Sequence, residues 1–377
     1  MDPLEFRKKN CMRPGYVDPH THVKCNTYGL AECMEKGREF IRWDEKRREY
    51  ENQTGPVRKG IGMAIFCYKT GVYPISLETA SCRMILNQDG SMQLQMGATE
   101  IGQGADTVFT QMAAEVTGIT EDKVNVLSTQ DTDVSPFDTG AYASRQTYVS
   151  GMAVKKTGAI FKEKILDYAA YMLEKPQDTL DVRDNHIVDK ETGTQLLPME
   201  ELATTAFYSL DRSVHITAEA TSHCKTNTFA TGACFAEVEV DMPLGKVKVT
   251  NIVNVHDSGK LINPKLAAAQ VHGGMSMGLG YGLSEELLFD AKGRPLNDNL
   301  LDYKLPTAMD TPDLNALFVE LDDPTGPFGN KALGEPPAIP VAPAVRNAVL
   351  NATGVAVDSL PMDPQKMVKH FKEAGLI

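Results

Sequence analysis

Apolar positions along the first third of the chain change their spacing, and the changes mark predicted elements. In residues 30–52, apolar side chains recur at helical spacing among many good helix formers, which predicts a surface helix. Residues 60–97 contain short β-type runs instead. Within them, Asp89 and Gly90 lie between alternating apolar residues, a pattern typical of a tight β-hairpin.

Helices and strands follow each other again in the rest of the chain. Apolar spacing of three and four residues predicts helices over 105–119 and 151–173. Residues 233–257 predict a second hairpin that turns near Gly245, and a last helix follows the proline-rich segment PPAIPVAP. Residues 175–230 are polar and mixed and predict no definite element. Strands followed by helices, twice over, predict an α+β fold of two lobes.

The N-terminal residues predict a chain that continues from another half. MDPLEFRKKN is charged, and its proline favours a first helical turn, so we expect a helix to start at Asp2-Pro3. A helix at this point suggests that the chain begins in mid-domain. We therefore divide the chain into an N-terminal helical segment, residues 1–56, and two lobes, residues 57–215 and 216–377.

Composition and charge indicate a folded protein that does not bind nucleic acid. The chain has 377 residues, of which 42% are hydrophobic and 23% charged, values near the average for globular proteins. Its net charge of −12 would repel a polyphosphate backbone unless the basic groups formed one patch. The densest basic run, Lys46-Arg47-Arg48, lies among glutamates and is typical of a solvated helix face.

Cysteine and histidine spacing gives no sign of a metal held by side chains. The seven cysteines include no C-x-x-C pair, which argues against a zinc site or an iron–sulfur cluster in this chain. The histidines are not grouped at ligand spacing with carboxylates, so we expect core or surface roles for them. Because the chain has no apolar run of about 18 residues and no signal-peptide pattern, we expect a cytoplasmic protein without a membrane span.

Loops rich in glycine are the first sign of a ligand site. Glycine lets a backbone approach a bound group closely and exposes amide donors to it. Any one such loop could be a simple turn, but several in one chain favour a binding function. The loops are GATEIGQGADT (97–107), DTGAYASRQTYVSG (138–151), HGGMSMGLGYG (272–282) and FGNKALGEPP (328–337).

Two side chains in these loops have functional potential. Gln103 offers an amide that can donate to and accept from a polar ligand atom, and the alternative is that it caps the helix near Ala105. The spacing of its loop does not fit a dinucleotide fingerprint. Glu335 lies between a glycine and two prolines among apolar neighbours, so we expect partial desolvation, which suits a general base. The alternative is an exposed loop glutamate.

These motifs together resemble the second half of the molybdenum subunit of the xanthine dehydrogenase and aldehyde oxidoreductase family. The resemblance covers essentially the whole chain, and the bacterial xanthine dehydrogenase branch is the most similar. It rests on GATEIGQG, DTGAYASRQ, VHGGMSMGLGYGLSEE, LLDYKLPT and KALGEPPAIPVAPAVRNAV. It implies two elongated mixed α/β lobes that bind molybdopterin, for which the cytosine dinucleotide form is one option. The molybdenum would be held by the pterin dithiolene and not by side chains.

The resemblance also assigns site residues. It implies that Glu335 is the active-site base. The positions implied to contact the cofactor are Gly102, Gln103, Gly104, Gly140, Ala141, Tyr142, Ala143, Ser144 and Met277. Met277 stands where the animal enzymes have a glutamine, so we expect a polar contact to be absent there. Tyr142 and Arg145 also differ from the animal enzymes, which leaves the substrate open.

The function implied is oxidation of xanthine or hypoxanthine-type N-heterocycles, with water as the oxygen source. Such an enzyme needs partners: the N-terminal half of the molybdenum subunit, an iron–sulfur subunit and an FAD subunit. Within the same family, nicotinate, aldehyde or aromatic acyl-CoA substrates are alternatives. A pterin-binding assembly subunit without catalytic activity is an alternative of a different class.

Overall fold

The computed structural model describes residues 1–76, 78–128 and 131–377. The helices are α1 (Pro3–Asn10), α2 (Leu30–Ile41), α3 (Trp43–Glu49), α4 (Ala105–Thr117), α5 (Gln146–Leu173), α6 (Met199–Tyr208), α7 (Pro264–Leu283), α8 (Val341–Thr353) and α9 (Pro364–Glu373). The strands are β1 (Val57–Lys69), β2 (Glu78–Leu86), β3 (Met92–Met96), β4 (Val124–Leu127), β5 (Leu180–Arg183), β6 (His186–Asp189), β7 (Gln195–Pro198), β8 (Thr217–Cys224), β9 (Phe229–Asp241), β10 (Lys246–Asp257) and β11 (Leu314–Phe318). This mixture of helices and sheets confirms the α+β prediction.

The chain forms two compact units, each built from separate stretches of sequence. The first unit comprises Met1–Lys69, Phe229–Asp322 and Lys331–Ile377, and the second comprises Thr70–Thr228 and Asp323–Asn330. The boundaries predicted after residues 56 and 215 concern cofactor-binding lobes and stay predictions. None of the helices in the described ranges is long and apolar enough to cross a lipid bilayer.

Several predicted elements are confirmed, with changes at their ends. α1 begins after Asp2, whose carboxylate accepts a hydrogen bond from the amide of Leu4 at 2.8 Å. The helix predicted over residues 30–52 is broken at Arg42, which has a left-handed φ of 59° and separates α2 from α3. The Asp89-Gly90 hairpin joins β2 and β3, which pair antiparallel as predicted. Residues 175–230, where no element was predicted, contain β5 to β8 and α6.

The sheet of the first unit has the order β1-β9-β10-β11 and carries helices on both faces. β1 and β10 both pair antiparallel with β9, and β11 adds to β10 in parallel. Because side chains alternate along a strand, Ile61 and Met63 face the core formed with α1 to α3, while Ala64 faces α7, α8 and α9. Glycines on that second face let α8 approach β1: a Cβ at Gly60 or Gly62 would overlap the helix backbone.

The second unit has a sheet of order β4-β3-β2-β8 and a smaller one of order β5-β6-β7. The long helix α5 packs on β2 and β8 and beside α4. Gly158 of α5 allows the close approach, because a Cβ there would meet Val116 of α4 and Met84 of β2. α5 begins at Gln146, five residues before the start that its apolar spacing predicted. The loops before α4 and α5 therefore end at the N-termini of two packed helices.

Candidate active site

Glu335 lies in the first unit, in the loop between β11 and α8. Its backbone has right-handed helical angles (φ −88°, ψ −33°), and the prolines after it start a short 3-10 turn. Its side chain is exposed, so the predicted partial desolvation is wrong for this chain. The cause is that the apolar neighbours point elsewhere: Ala332, Pro336 and Pro337 are buried, while the carboxylate points outward. The hydroxyl of Tyr68 donates a hydrogen bond to Oε2 of Glu335.

The backbone on both sides of Glu335 is attached to β10. Before it, the buried ammonium of Lys331 forms an ion pair with the buried carboxylate of Asp257 at 2.8 Å. The amide of Lys331 donates to the carbonyl of Ser258, also at 2.8 Å. After it, the buried Asn254 side chain donates to the carbonyl of Pro337 at 2.9 Å. Separating a buried ion pair leaves an unpaired buried charge, which strongly destabilises a folded protein. The Lys331–Asp257 pair therefore holds the loop in one place.

Helix α7 packs against the same loop through its glycines. A Cβ at Gly274 would overlap the ring of Pro337, and one at Gly278 would lie 2.6 Å from Cβ of Val341 at the start of α8. Glycine at these two positions therefore lets α7 approach the loop closely. Met277 is also on α7, with 67% of its surface exposed.

Gly102, Gln103 and Gly104 form the turn that precedes α4 in the second unit. Gly102 and Gly104 have left-handed φ values of 99° and 86°, which glycine adopts without strain. The carboxylate of Glu100 accepts hydrogen bonds from the amides of Gly102, Gly104 and Asp106. Burial raises the pKa of Glu100, but these amide bonds outweigh that effect and lower it. Glu100, and not Gln103, therefore occupies the N-terminus of α4.

Gln103 connects this turn to the loop before α5. Its Oε1 accepts from the amide of Ile101 at 2.8 Å, and its Nε2 donates to Oε1 of Gln146 at 2.6 Å. Gln103 and Gln146 also both donate to the carbonyl of Thr99, at 2.8 Å and 3.1 Å. Gln146 is the first residue of α5, directly after the small-residue loop. The second unit thus brings together the two loops that the sequence assigned to cofactor binding.

The loop from Gly140 to Ser144 has an unusual backbone. Gly140 has a φ of 120°, and Ala143 and Ser144 are left-handed at 46° and 49°. For residues with a side chain this conformation costs about 1–3 kcal/mol each and persists only where surrounding contacts require it. Ala141 and Tyr142 at the middle of the loop are exposed. Strained backbone held by its surroundings is frequent at ligand sites.

Arg145 supplies the contacts that hold the loop from Gly140 to Ser144, and it does so from within the core of the second unit. Its guanidinium is fully buried and forms ion pairs with the buried carboxylates of Glu78 and Asp138. It also donates to the carbonyl of Gly140 at 2.8 Å and to that of Thr79 at 2.9 Å. Burial lowers the pKa of Arg145, but the charges and hydrogen bonds of the two carboxylates outweigh this and raise it. The guanidinium therefore stays charged and holds the loop at its two ends.

Sequence reasoning missed the roles of Glu100 and Tyr68 and the ion pairs of Arg145. A signal for Glu100 existed, because an acidic residue just before a predicted helix start is a common partner for free amides. Asp138 and Arg145 are seven residues apart in one predicted loop, but Glu78 lies 67 residues away from Arg145. Tyr68 and Glu335 are separated by 267 residues. No local pattern could have paired residues at such separations.

The loops of the second unit fit a ligand that is bound largely through backbone. A Cβ added at Gly102 would have no atom within 4 Å, and one at Gly140 would meet only the ring of Tyr142, at 3.8 Å. Both glycines therefore border open space that a flat group could fill against the backbone. Among the described residues, no three His, Cys, Asp or Glu side chains are grouped so as to hold a metal ion.

Comparison with solved structures shows the class of fold. The chain superposes on CO dehydrogenase from Oligotropha carboxidovorans with a TM-score of 0.89 and 26% identity, covering 100% of this chain and 49% of that one. Quinoline 2-oxidoreductase from Pseudomonas putida 86 has the same fold, with a TM-score of 0.89 at 23% identity over 99% of this chain and 50% of that one. The chain thus has the fold of one half of these oxidoreductase chains.

Comparison of sequences shows the family. The model of the molybdopterin cofactor-binding domain matches residues 36–312. The chain is 48% identical to the xanthine dehydrogenase molybdenum-binding subunit of Escherichia coli O157:H7, over 100% of this chain and 50% of that protein. It is 27% identical to the carbon monoxide dehydrogenase large chain of Hydrogenophaga pseudoflava, over 100% and 49%. The chain belongs to the molybdopterin cofactor-binding family, and it spans about half the length of the relatives it matches.

Proposed function

We propose that this chain is the C-terminal half of the molybdopterin-binding catalytic subunit of a xanthine dehydrogenase-like molybdenum hydroxylase. Its substrates would be N-heterocycles of the xanthine or hypoxanthine type, oxidised with water as the oxygen source. Support for this substrate class comes from the 48% identity to a xanthine dehydrogenase molybdenum-binding subunit. The observation that carries the proposal is an outward-pointing carboxylate, Glu335, on a loop attached on both sides to a buried strand.

In this proposal the loops of the second unit hold the cofactor. Gly102, Gln103 and Gly104 would line it on one side, and the loop from Gly140 to Ser144 would contribute backbone donors. Met277 would make an apolar contact in the first unit. Arg145 and Glu100 would fix these loops without touching the cofactor themselves. When bound, molybdopterin supplies the metal centre that takes up the two electrons of the oxidation.

Glu335 would act as the base of the reaction. Its carboxylate would accept a proton as the water-derived oxygen adds to an electron-poor carbon of the heterocycle. The hydroxyl of Tyr68 donates a hydrogen bond to Oε2 of this carboxylate. A rigid backbone contributes as well, because a base is effective only within hydrogen-bond reach of the proton that it removes.

The chain spans about half the length of its relatives. In this proposal, the assembled enzyme therefore requires other polypeptides. They are the N-terminal half of the molybdenum subunit, an iron–sulfur subunit and an FAD subunit. A cytoplasmic location is part of the same proposal. Nicotinate, aldehydes or aromatic acyl-CoA are alternative substrates, and a substrate screen on the assembled enzyme separates them from purines.

The direct test is Glu335→Gln in the assembled enzyme, with exposed Glu373→Gln of α9 as the matched control. General-base catalysis is worth about 10²–10⁴ in rate, so we expect Glu335→Gln to lower kcat by that factor at unchanged molybdenum content. The control should retain full turnover. Turnover unchanged by Glu335→Gln would refute the assignment of the base and would favour a pterin-binding assembly subunit.

A further inference from the structure

Tyr68 stands near the C-terminal end of β1, and its hydroxyl hydrogen-bonds the carboxylate of Glu335. It is half-buried, and it lies on the same face of the strand as Phe66, two residues earlier. Phe66 is buried, and its ring fills the space above Gly232, where a Cβ would overlap it. The end of β1 is thus anchored on β9, with the Tyr68 side chain on the same face.

Tyr68 lies on the face of β1 that carries α8. Earlier on this face, a Cβ at Gly60 would overlap the backbone of Ala348 and Ala352, and one at Gly62 would overlap the backbone of Ala344 and Ala348. α8 begins at Val341, and the Tyr68 hydroxyl reaches Glu335 in the loop that precedes this helix. The two partners of the hydrogen bond thus belong to a strand and a loop that are each attached to packed backbone.

Glu335 is restricted at its backbone, and Tyr68 contacts its side chain. Lys331 and Asn254 fix the backbone before and after Glu335, and Pro336 restricts its backbone angles. A glutamate side chain has several staggered rotamers, which differ in the direction of the carboxylate. A phenol on a packed strand is a rigid donor, because few torsions separate its hydroxyl from the backbone. It selects the rotamer in which Oε2 faces β1.

We propose that Tyr68 is the positioning residue for Glu335: its hydroxyl fixes the direction in which the carboxylate is presented to the reacting atoms. The inference rests on the proposed function, since Tyr68 acts only through the base assigned there. A tyrosine in this role affects the rate of the proton transfer and not the affinity for substrate. It should also affect the carboxylate in the absence of any turnover.

The first experiment compares Tyr68→Phe with the wild-type chain in the assembled enzyme. The variant keeps the ring and loses only the hydroxyl. We expect kcat to fall about ten- to hundred-fold, as for loss of one hydrogen bond to a charged group, with KM and molybdenum content unchanged. A rise in KM at unchanged kcat would overturn the proposal, and so would an unaffected kcat.

Tyr50→Phe is the matched control, because Tyr50 also donates to a glutamate, Glu237. Glu237 pairs with Ile61, seven residues before Tyr68 along β1, a distance of roughly 23 Å. Tyr50→Phe should lower thermal stability and leave kcat at equal active-enzyme concentration unchanged. An equal fall of kcat in both variants would mean that tyrosine loss acts through general stability, which contradicts the proposal.

The double variant separates failure of this inference from failure of the proposed function. In a Glu335→Gln background, Tyr68→Phe should cause no further fall in single-turnover rate, because the group it positions is gone. A further fall of the same size as in the wild type would overturn the proposal, since Tyr68 would then act independently of Glu335. If Glu335→Gln alone leaves turnover intact, the proposed function fails first, whatever Tyr68→Phe does.

A spectroscopic readout needs no turnover. The method is NMR of the assembled enzyme, in which the glutamates carry ¹³C at the side-chain carboxyl. The resonance of Glu335 is identified as the one that disappears in Glu335→Gln. Tyr68→Phe should displace that resonance, because a hydrogen bond to the carboxylate is removed, and Tyr50→Phe should leave it in place. A Glu335 resonance unmoved by Tyr68→Phe would overturn the proposal.

Discussion

Gly273 and Gly274 are neighbours in α7 and form a matched pair for testing how the Glu335 loop is held. A Cβ at Gly273 has no atom within 4 Å, whereas one at Gly274 would lie 3.0 Å from the amide nitrogen of Ala338 and closer still to the Pro337 ring. Ordinary contacts of a Cβ begin at 3.4 Å. Gly274→Ala therefore pushes directly on the turn that follows the proposed base, and Gly273→Ala does not.

The two substitutions should change stability in opposite directions. Replacing glycine by alanine inside a helix stabilises by about 0.5–1 kcal/mol, and this gain applies to both positions. At Gly274 it is opposed by overpacking of about 1–3 kcal/mol, because Pro337 is held from its other side by Asn254. We expect Gly273→Ala to raise the free energy of unfolding by about 0.5–1 kcal/mol, and Gly274→Ala to lie about 1–3 kcal/mol below it.

The assay is urea unfolding of the two variants side by side, followed by turnover in the assembled enzyme. If the overlap is relieved by a shift of the Glu335 loop approaching 1 Å, kcat for Gly274→Ala should fall by up to about 10², since proton transfer depends on such geometry. Gly273→Ala should retain wild-type kcat. Equal unfolding free energies and equal kcat for the two variants would refute the packing argument.

Two further predictions concern buried ionisable groups. Arg145→Ala leaves the buried carboxylates of Glu78 and Asp138 without their cation, so urea unfolding at pH 7 should show a loss of about 3–5 kcal/mol. A loss under 1 kcal/mol would contradict the buried cluster. His256 is fully buried, neither ring nitrogen has a hydrogen-bond partner among the described residues, and burial lowers its pKa to about 3. The unfolded chain therefore binds a proton at His256 that the folded chain does not, so the free energy of unfolding falls by about 1.4 kcal/mol per pH unit as the pH drops from about 6.5 towards 3. In urea titrations at several pH values, His256→Leu should remove this contribution to the pH dependence of stability. An unchanged pH dependence would show that His256 takes up its proton in the folded protein.

Local signals predicted much of the fold. The Asp89-Gly90 turn and the spacing of apolar residues in α4 depend on neighbours in sequence, and both are found in the structure. Arg42 breaks a helix between good helix formers, and propensity carries no sign of it. Packing requires it: α2 places Gly37 against Phe235, and α3 begins with Trp43, whose ring packs in a T-shaped arrangement on the same ring with 5.7 Å between centroids. Such a requirement is visible only in three dimensions.

For the site, motifs located the loops but not their supports. The prolines predict the stiff turn at Glu335, whereas the exposure of its side chain was only the alternative prediction, because a list of apolar neighbours does not tell which way each points. The ion pairs of Arg145 and Lys331 join residues 67 and 74 positions apart. Tyr68 meets Glu335 across 267 positions of sequence. These contacts depend on tertiary packing, which single-sequence patterns do not contain.

If this chain contributes to binding molybdopterin, the assembled enzyme purified through it should contain about one molybdenum and one pterin for each copy of the chain, as for a single site. Metal analysis and pterin analysis of that preparation decide the question. An assembled, folded complex that contains neither molybdenum nor pterin would contradict the proposed function.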